Sequence, residues 1–263
     1  MEKKKAILSV SFGTSYQSAR ENAIGGIEKA LENAFPAYEV RRCFTSGMVI
    51  RHIEKEEKIL IDGPEAALQK AVADGIEELL IQPTHLMNGQ EYRKFMDVLE
   101  KYRGRFAVVK TGKPLLSDPE DYAAVISVSE QIWQEAVSDY EKKETALILV
   151  GHGSESEADK VYAELQESLR NAGKEHIYVG TIESHPTAAE ILESIKDKNY
   201  RRVVLVPLMV VAGDHAANDI AGKEENSWKK MFENAGYEAA AVMKGLGEYP
   251  EIQAVYAKHL MQV

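Results

Sequence analysis

Short apolar runs rich in β-branched residues alternate with longer amphipathic stretches along the whole chain. The short runs predict eight buried strands, at 6–11, 38–44, 78–82, 106–110, 146–150, 177–182, 203–208 and 238–243. The amphipathic stretches predict helices at 18–34, 65–74, 90–102, 119–139, 157–172, 187–197, 218–235 and 250–262. This alternation is typical of an α/β fold, in which each parallel sheet is flanked by helices.

The two halves of the chain resemble diverged copies of each other. Segment 8–15 (LSVSFGTS) aligns with 148–155 (ILVGHGSE), segment 38–46 with 177–185, and segment 81–91 with 205–215. The alignments pair three positions of the first half with three of the second: Phe12 with His152, Phe44 with Glu183, and Glu91 with His215. The third alignment needs a shorter offset, so we expect the second half to lack a segment. Three matches in the same order predict a duplication, with domains at 1–140 and 141–263.

Composition excludes several classes of protein. The single cysteine, Cys43, rules out a disulfide framework and any cysteine-rich metal site. A net charge of −10 argues against nucleic acid and anionic membrane as partners, because both favour a basic surface. The basic start is followed by an apolar run, 6–10, that is too short for a signal peptide or a membrane helix. We therefore expect a cytoplasmic protein, and no feature predicts an organic cofactor.

Three strand ends of the second half carry side chains that bind metals. Proteins with open parallel sheets bind small molecules and ions at the carboxyl ends of the strands. His152, Glu183 and His215 each follow a predicted strand, so we expect them to converge at one rim. Two imidazoles and one carboxylate without a thiolate suit a divalent first-row ion such as cobalt, nickel, iron or zinc. Such a set also leaves coordination positions open for a substrate.

Taken singly, each of these residues has an ordinary structural interpretation. His152 lies between the two glycines of a tight turn, Glu183 precedes a helix start, and His215 lies in a loop. Their joint position at equivalent strand ends favours a shared site. A serine hydrolase that uses Ser154 is a weaker alternative, because Gly-His-Gly-Ser lacks the flanks of a nucleophile elbow.

Several motifs together resemble the anaerobic sirohydrochlorin cobalt chelatase family of the class II chelatases. They are 9–15 (SVSFGTS), 44–48 (FTSGM), 151–154 (GHGS), 182–186 (IESHP), 207–219 (PLMVVAGDHAAND) and 245–248 (GLGE). The resemblance runs nearly end to end, and the long 211–219 match is its most specific part. It implies two flavodoxin-like halves that face each other across a cleft holding a sirohydrochlorin-type tetrapyrrole. By motif, the family's metal ligands fall on His152, Glu183 and His215.

The resemblance implies insertion of Co²⁺ into sirohydrochlorin, or into its reduced precorrin-2 form, during anaerobic cobalamin biosynthesis. We expect His152 and His215 to hold the ion and accept pyrrole protons, while Glu183 adds negative charge. Insertion of iron or nickel into the same macrocycle remains an alternative, because this ligand set does not select sharply among these ions. A tetrapyrrole or metal carrier without catalytic turnover is a second alternative. The oligomeric state stays open, a homo-oligomer included.

Further residues are expected to bind the substrate: Phe12, Gly13, Thr14, Ser15, Thr45, Ser46, His85 and Glu91. The substrate is a polyanion and the chain is net negative, so local donors must bind its carboxylates. Turns 13–15 and 45–47 can offer backbone N–H groups for this purpose. His85 and Glu91 are expected to relay protons or deliver metal. Each of these positions has an ordinary turn or loop role as its alternative.

Overall fold

The computed structural model describes residues 4–137, 142–154 and 156–263. Within these residues the strands form two four-stranded parallel sheets, ordered β2-β1-β3-β4 and β6-β5-β7-β8. The strands are β1 (Lys5–Ser11), β2 (Glu39–Phe44), β3 (Glu78–Pro83), β4 (Val108–Thr111), β5 (Thr145–Gly151), β6 (Ile177–Thr181), β7 (Arg202–Pro207) and β8 (Glu238–Ala241). All eight predicted strands are confirmed, with ends that differ by at most two residues.

The central strands are buried on both faces, which explains their uninterrupted apolar sequence. Every residue of β5 is buried, and so is every residue of β3 and β7 after the first. One core cluster packs β1 and β3 against residues such as Leu68 and Phe95 of the flanking helices. A second cluster packs β5 and β7 against Ile191, Trp228 and Phe232. The fold is therefore the expected α/β arrangement of two helix-flanked parallel sheets.

The helices are α1 (Gln17–Ala19), α2 (Gly25–Ala34), α3 (Gly47–Glu57), α4 (Pro64–Ala73), α5 (Gln90–Tyr102), α6 (Pro119–Ala136), α7 (Lys160–Asn171), α8 (Ala188–Ile195), α9 (Trp228–Asn234) and α10 (Pro250–Met261). A π-helical segment, Arg20–Ile24, joins α1 to α2. The end of the predicted 119–139 helix lies outside the described residues beyond position 137.

Two helix predictions are corrected. Helix α3 is not among the predicted elements, because Ile53 is its one buried residue. The predicted 218–235 helix is two elements, a π-helical segment Ala216–Ile220 and α9. They are separated because Ser227 starts a new helix, its side chain accepting a hydrogen bond from the Lys230 N–H.

The two halves repeat one strand order and register, as the predicted duplication requires. Val10 pairs with Pro83 in the first sheet, and Val150 pairs with Pro207 in the second. The β2–β3 connection holds α3 and α4, whereas the β6–β7 connection holds only α8, so the shorter copy lacks one helix.

One part of the sequence alignment was shifted by two residues. Ser11 pairs with Phe44, and the equivalent Gly151 pairs with Thr181. Phe44 is therefore equivalent to Thr181, and Glu183 is equivalent to Ser46 rather than to Phe44. Sequence similarity alone does not determine this register, because β2 and β6 have few identical residues.

The chain divides into two compact units. The first runs to Ser117 and takes in Gly247–Val263, and the second is Asp118–Leu246. This grouping differs from a division at residue 140, because α6 packs against α7 in the second unit and α10 packs against α2 in the first. Among the described residues, no helix is both long enough and apolar enough to cross a membrane.

Candidate metal centre

The carboxyl ends of β5, β6 and β7 carry the three predicted metal ligands. His152 directly follows β5, Glu183 lies two residues beyond β6, and His215 begins the Ala216–Ile220 segment after β7. The backbone N–H of Glu183 donates to the carbonyl of His152 at 2.8 Å, which ties the first two loops together. All three side chains belong to the second unit and are partly exposed.

The two imidazoles meet through their Nε2 atoms. These atoms are 3.2 Å apart, and the two rings are perpendicular with centroids 4.3 Å apart. Nδ1 of His152 lies 2.7 Å from the carbonyl oxygen of Gly153, and Nδ1 of His215 lies 2.8 Å from Oδ2 of Asp219. A carbonyl and a carboxylate only accept hydrogen bonds, so both Nδ1 atoms carry the proton. In the neutral rings the two Nε2 lone pairs therefore point toward the same region.

This spacing matches the distance between two nitrogen ligands of one metal ion. Metal–nitrogen bonds of about 2.0–2.1 Å and an angle of about 100° place two nitrogens roughly 3.2 Å apart. Two lone pairs at this distance repel each other unless a cation or a proton lies between them. The pair is thus suited to a divalent cation and leaves other coordination positions open.

Glu183 lies beside His152 on the Nδ1 side of its ring. Its Oε2 atom is 3.6 Å from Nδ1 of His152, and its side chain is 57% exposed. Within the described residues, its carboxylate and the two imidazoles do not offer three ligand atoms that all lie within 4.8 Å of one another. Rotation of this exposed side chain is needed before it can join both Nε2 atoms, so its role as a ligand stays a prediction.

The His152 loop is held by contacts that sequence reasoning did not find. Gly153 has a φ of 82°, and an added Cβ would lie 2.7 Å from Cβ of Ser184. The N–H of Gly153 donates to the hydroxyl of Tyr162 at 3.3 Å. Tyr162 is buried beneath the loop, and burial raises its pKa to about 12, so the hydroxyl keeps its proton. These contacts therefore fix the backbone of the loop that carries His152.

Ser154 takes part in the same structural network. Its N–H and its hydroxyl both donate to the carboxylate of Asp159, at 2.9 and 2.7 Å. Its Oγ is also 2.8 Å from Oγ of Ser156. The hydroxyl is thus engaged in closing the turn, which disfavours the hydrolase alternative. Asp159 carried no sequence signal beyond its position five residues after Ser154.

The predicted substrate-binding residues after β1 lie at the carboxyl end of that strand in the first unit. Phe12 is 49% exposed, whereas Thr14 is buried. Gly13 has a φ of 98°, and an added Cβ would lie 2.4 Å from the Phe44 ring. The Thr14 hydroxyl accepts a hydrogen bond from the Tyr16 N–H at 3.2 Å. Ser15 is half-buried in the same turn.

The turn after β2 has two different hydroxyl environments. Oγ of Ser46 accepts a hydrogen bond from the Val49 N–H at 3.4 Å and so caps α3. Oγ1 of Thr45 is shielded from solvent and has no hydrogen-bond partner among the described residues. Ser46 is therefore already used within its own turn, whereas Thr45 keeps an unsatisfied hydroxyl.

His85 and Glu91 flank the loop after β3. Both ring nitrogens of His85 are shielded from solvent and lack a hydrogen-bond partner among the described residues. Burial lowers the pKa of His85 to about 4, and the Glu91 carboxylate opposes this shift. Glu91 forms an ion pair with Lys94 at 2.7 Å on the first turn of α5. A neutral imidazole is the form of His85 that this environment favours at pH 7.

Comparison with known proteins decides the family. A family model described as cobalt chelatase (CbiK) matches residues 5–263, nearly the whole chain. The chain belongs to the CbiK cobalt chelatase family. This confirms the resemblance predicted from the motifs, and the two helix-flanked parallel sheets are the expected fold.

Two curated relatives match 98% of the chain. A sirohydrochlorin cobaltochelatase of Salmonella typhimurium is 39% identical over 259 residues, covering 98% of this chain and 96% of the relative. The sirohydrochlorin cobaltochelatase CbiKC of Nitratidesulfovibrio vulgaris is 28% identical, covering 98% and 89%. Among solved structures, SirB from Bacillus subtilis with Fe³⁺ has a TM-score of 0.69 at 14% identity, covering 98% of this chain and 95% of that one. The likeness to SirB concerns the fold alone.

Proposed function

We propose that this chain inserts a divalent cobalt ion into sirohydrochlorin and that His152 and His215 bind the ion before transfer. The observation that carries the ligand assignment is the 3.2 Å separation of the two Nε2 atoms, with each Nδ1 held by its own acceptor. Membership of the CbiK family and the 39% identical Salmonella cobaltochelatase support the reaction and the substrate.

The reaction exchanges one divalent cation for two protons. Co²⁺ leaves its protein ligands, the two pyrrole N–H protons leave the macrocycle, and the product is the cobalt tetrapyrrole. Each imidazole that releases the ion regains a free Nε2 lone pair. That lone pair can accept a proton, so each ring is proposed to take up one of the two pyrrole protons. Metal binding and proton uptake thus use the same two nitrogens in turn.

Glu183 is proposed as a third metal ligand that adds negative charge. Its backbone is fixed next to His152, and its partly exposed side chain is free to turn toward the ion. Two neutral imidazoles leave the double positive charge of the ion uncompensated. One carboxylate ligand halves the net charge of the metal site.

Cobalt is proposed over nickel and iron because the curated relatives carry cobalt in their names. Nitrogen and carboxylate ligands do not discriminate strongly among these ions, and the general affinity order places nickel above cobalt. Insertion rates measured side by side with Co²⁺, Ni²⁺ and Fe²⁺ test the choice. Faster insertion of nickel or iron at matched free concentrations would overturn it.

The polyanionic macrocycle is proposed to bind through local donors. The candidates are the 13–15 and 45–47 turns, the exposed ring of Phe12, and the loop residues His85 and Glu91. Of these groups, Thr45 and His85 carry buried polar atoms without a partner in the described residues. With a net charge of −10, the protein is proposed to bind neither nucleic acid nor anionic membrane.

An insertion assay tests the proposal. Conversion of sirohydrochlorin with Co²⁺ is followed by absorption for the wild type, His152→Ala and His215→Ala. Loss of a group that is both ligand and base lowers the rate at least roughly 100-fold. The matched control is His52→Ala, which removes an exposed imidazole from α3 and leaves the rate unchanged. Near-normal turnover in both site variants would contradict the ligand assignment, and strictly stoichiometric conversion by the wild type would favour a carrier.

A further inference from the structure

Asp219 is the side chain that holds the ring of His215. Its Oδ2 atom lies 2.8 Å from Nδ1 of His215, and the two side chains are 38% and 46% exposed. The other ring nitrogen of His215, Nε2, lies 3.2 Å from Nε2 of His152. The Asp219 carboxylate therefore sits on the opposite side of the ring from the nitrogen that faces the metal position.

The backbone that carries Asp219 is anchored in the core. Ala216 and Ile220, the first and last residues of its segment, are completely buried in the cluster that packs around β5 and β7. The segment is π-helical, with the Ala221 N–H donating to the carbonyl of Ala216 at 3.1 Å. Gly222 follows the C-cap residue Ala221, and a Cβ added there would lie 2.0 Å from the carbonyl oxygen of Asn218. The packing of these residues therefore fixes the backbone from which the Asp219 carboxylate reaches His215.

The two imidazoles are oriented by different kinds of acceptor. Nδ1 of His152 donates to the backbone carbonyl of Gly153, which no side-chain substitution removes. Nδ1 of His215 donates to a side chain. Without that acceptor, the partly exposed His215 ring is free to rotate about its side-chain torsions and to exchange its proton between the two nitrogens. Either change removes the second lone pair from the metal position.

We propose that Asp219 is a positioning residue that fixes the tautomer and orientation of His215, and thereby sets the spacing of the two-imidazole pair that receives the metal ion. The proposal rests on the ligand role proposed for His215. A carboxylate behind a metal-binding imidazole also makes the ring a stronger ligand, and loss of such a partner typically lowers metal affinity about 10–100-fold.

The test measures Co²⁺ affinity and insertion kinetics in the same full-length variants. Asp219→Ala is expected to weaken Co²⁺ binding about 10–100-fold and to lower kcat, while KM for sirohydrochlorin stays unchanged. Asp219→Asn keeps an oxygen that accepts the Nδ1 proton, so it recovers a large part of the affinity. The matched control is Asp214→Asn, since Asp214 precedes His215 in the sequence and accepts a hydrogen bond from the Asn218 amide at 3.0 Å. This control leaves the affinity at the wild-type value.

A double-mutant cycle separates positioning from a general structural effect. If Asp219 acts through His215, adding Asp219→Ala to His215→Ala lowers Co²⁺ affinity no further. Wild-type affinity in Asp219→Ala, or an equal loss with and without His215, would overturn the positioning role. Failure of the underlying ligand assignment has a different signature, because His215→Ala alone would then retain Co²⁺ affinity and insertion.

Discussion

Gly153→Ala perturbs the junction between the His152 and Glu183 loops. Gly153 has a φ of 82°, and an added methyl group would lie 2.7 Å from Cβ and 2.8 Å from the backbone nitrogen of Ser184. The left-handed conformation costs an alanine about 1–2 kcal/mol. Forcing a methyl group into a packed contact adds about 1–3 kcal/mol, so we expect a total loss of about 2–5 kcal/mol.

Gly173→Ala is the matched control in the same unit. Gly173 also has a positive φ, 70°, but an added Cβ would have no neighbour within 4 Å. This variant therefore loses only the conformational part, about 1–2 kcal/mol. The difference between the two variants isolates the close approach of the two loops.

Urea-induced unfolding followed by circular dichroism measures both losses, and the insertion assay measures the consequence for function. Displacement of a reacting group by about 1 Å lowers rates about 100-fold, so Gly153→Ala is expected to lose insertion while Gly173→Ala retains it. Equal destabilisation of the two variants, with normal insertion in Gly153→Ala, would refute the close-contact argument.

Two further predictions concern buried polar groups near the strand ends. The unfolded imidazole of His85 takes up a proton near pH 6.5 and the folded one only at about 4. The contribution of His85 to the free energy of unfolding is therefore complete above pH 6.5 and falls by up to about 3 kcal/mol as the pH drops toward 4. Urea titrations at several pH values should show that His85→Leu lacks this pH-dependent part of the stability. The same pH dependence in the wild type and in His85→Leu would contradict the prediction. Tyr162→Phe removes the acceptor of the Gly153 N–H and should lower the free energy of unfolding by about 1 kcal/mol; wild-type stability would show that this bond contributes nothing.

The strands could be predicted because their sequence reflects burial on both faces. A run such as 146–150 is apolar at every position. Exposed helices and loops do not need such an uninterrupted apolar run, so the run indicates a buried strand. Helix α3 escaped prediction because it buries only Ile53, which is too weak a signal for an amphipathic pattern. The break in the predicted 218–235 helix depends on Gly222 and on the capping serine Ser227, whose effect is set by local hydrogen bonds.

The residues of the candidate metal centre could be predicted as a group, but the geometry of their side chains could not. Strand-end positions placed His152 and His215 at one rim, and the structure brings their Nε2 atoms together. The contact between Asp219 and His215 lies on a π-helical turn. The four-residue spacing of the two side chains in the sequence does not by itself predict such a turn. The orientation of Glu183 depends on side-chain torsions, which sequence patterns do not encode.

The measurement that tests the central claim most directly is X-ray absorption at the cobalt edge of Co²⁺ bound to the protein without tetrapyrrole. Two imidazole ligands are predicted in the wild type, and one in each of His152→Ala and His215→Ala. An imidazole count that is the same in the wild type and both variants would contradict the claim that these two rings share one ion.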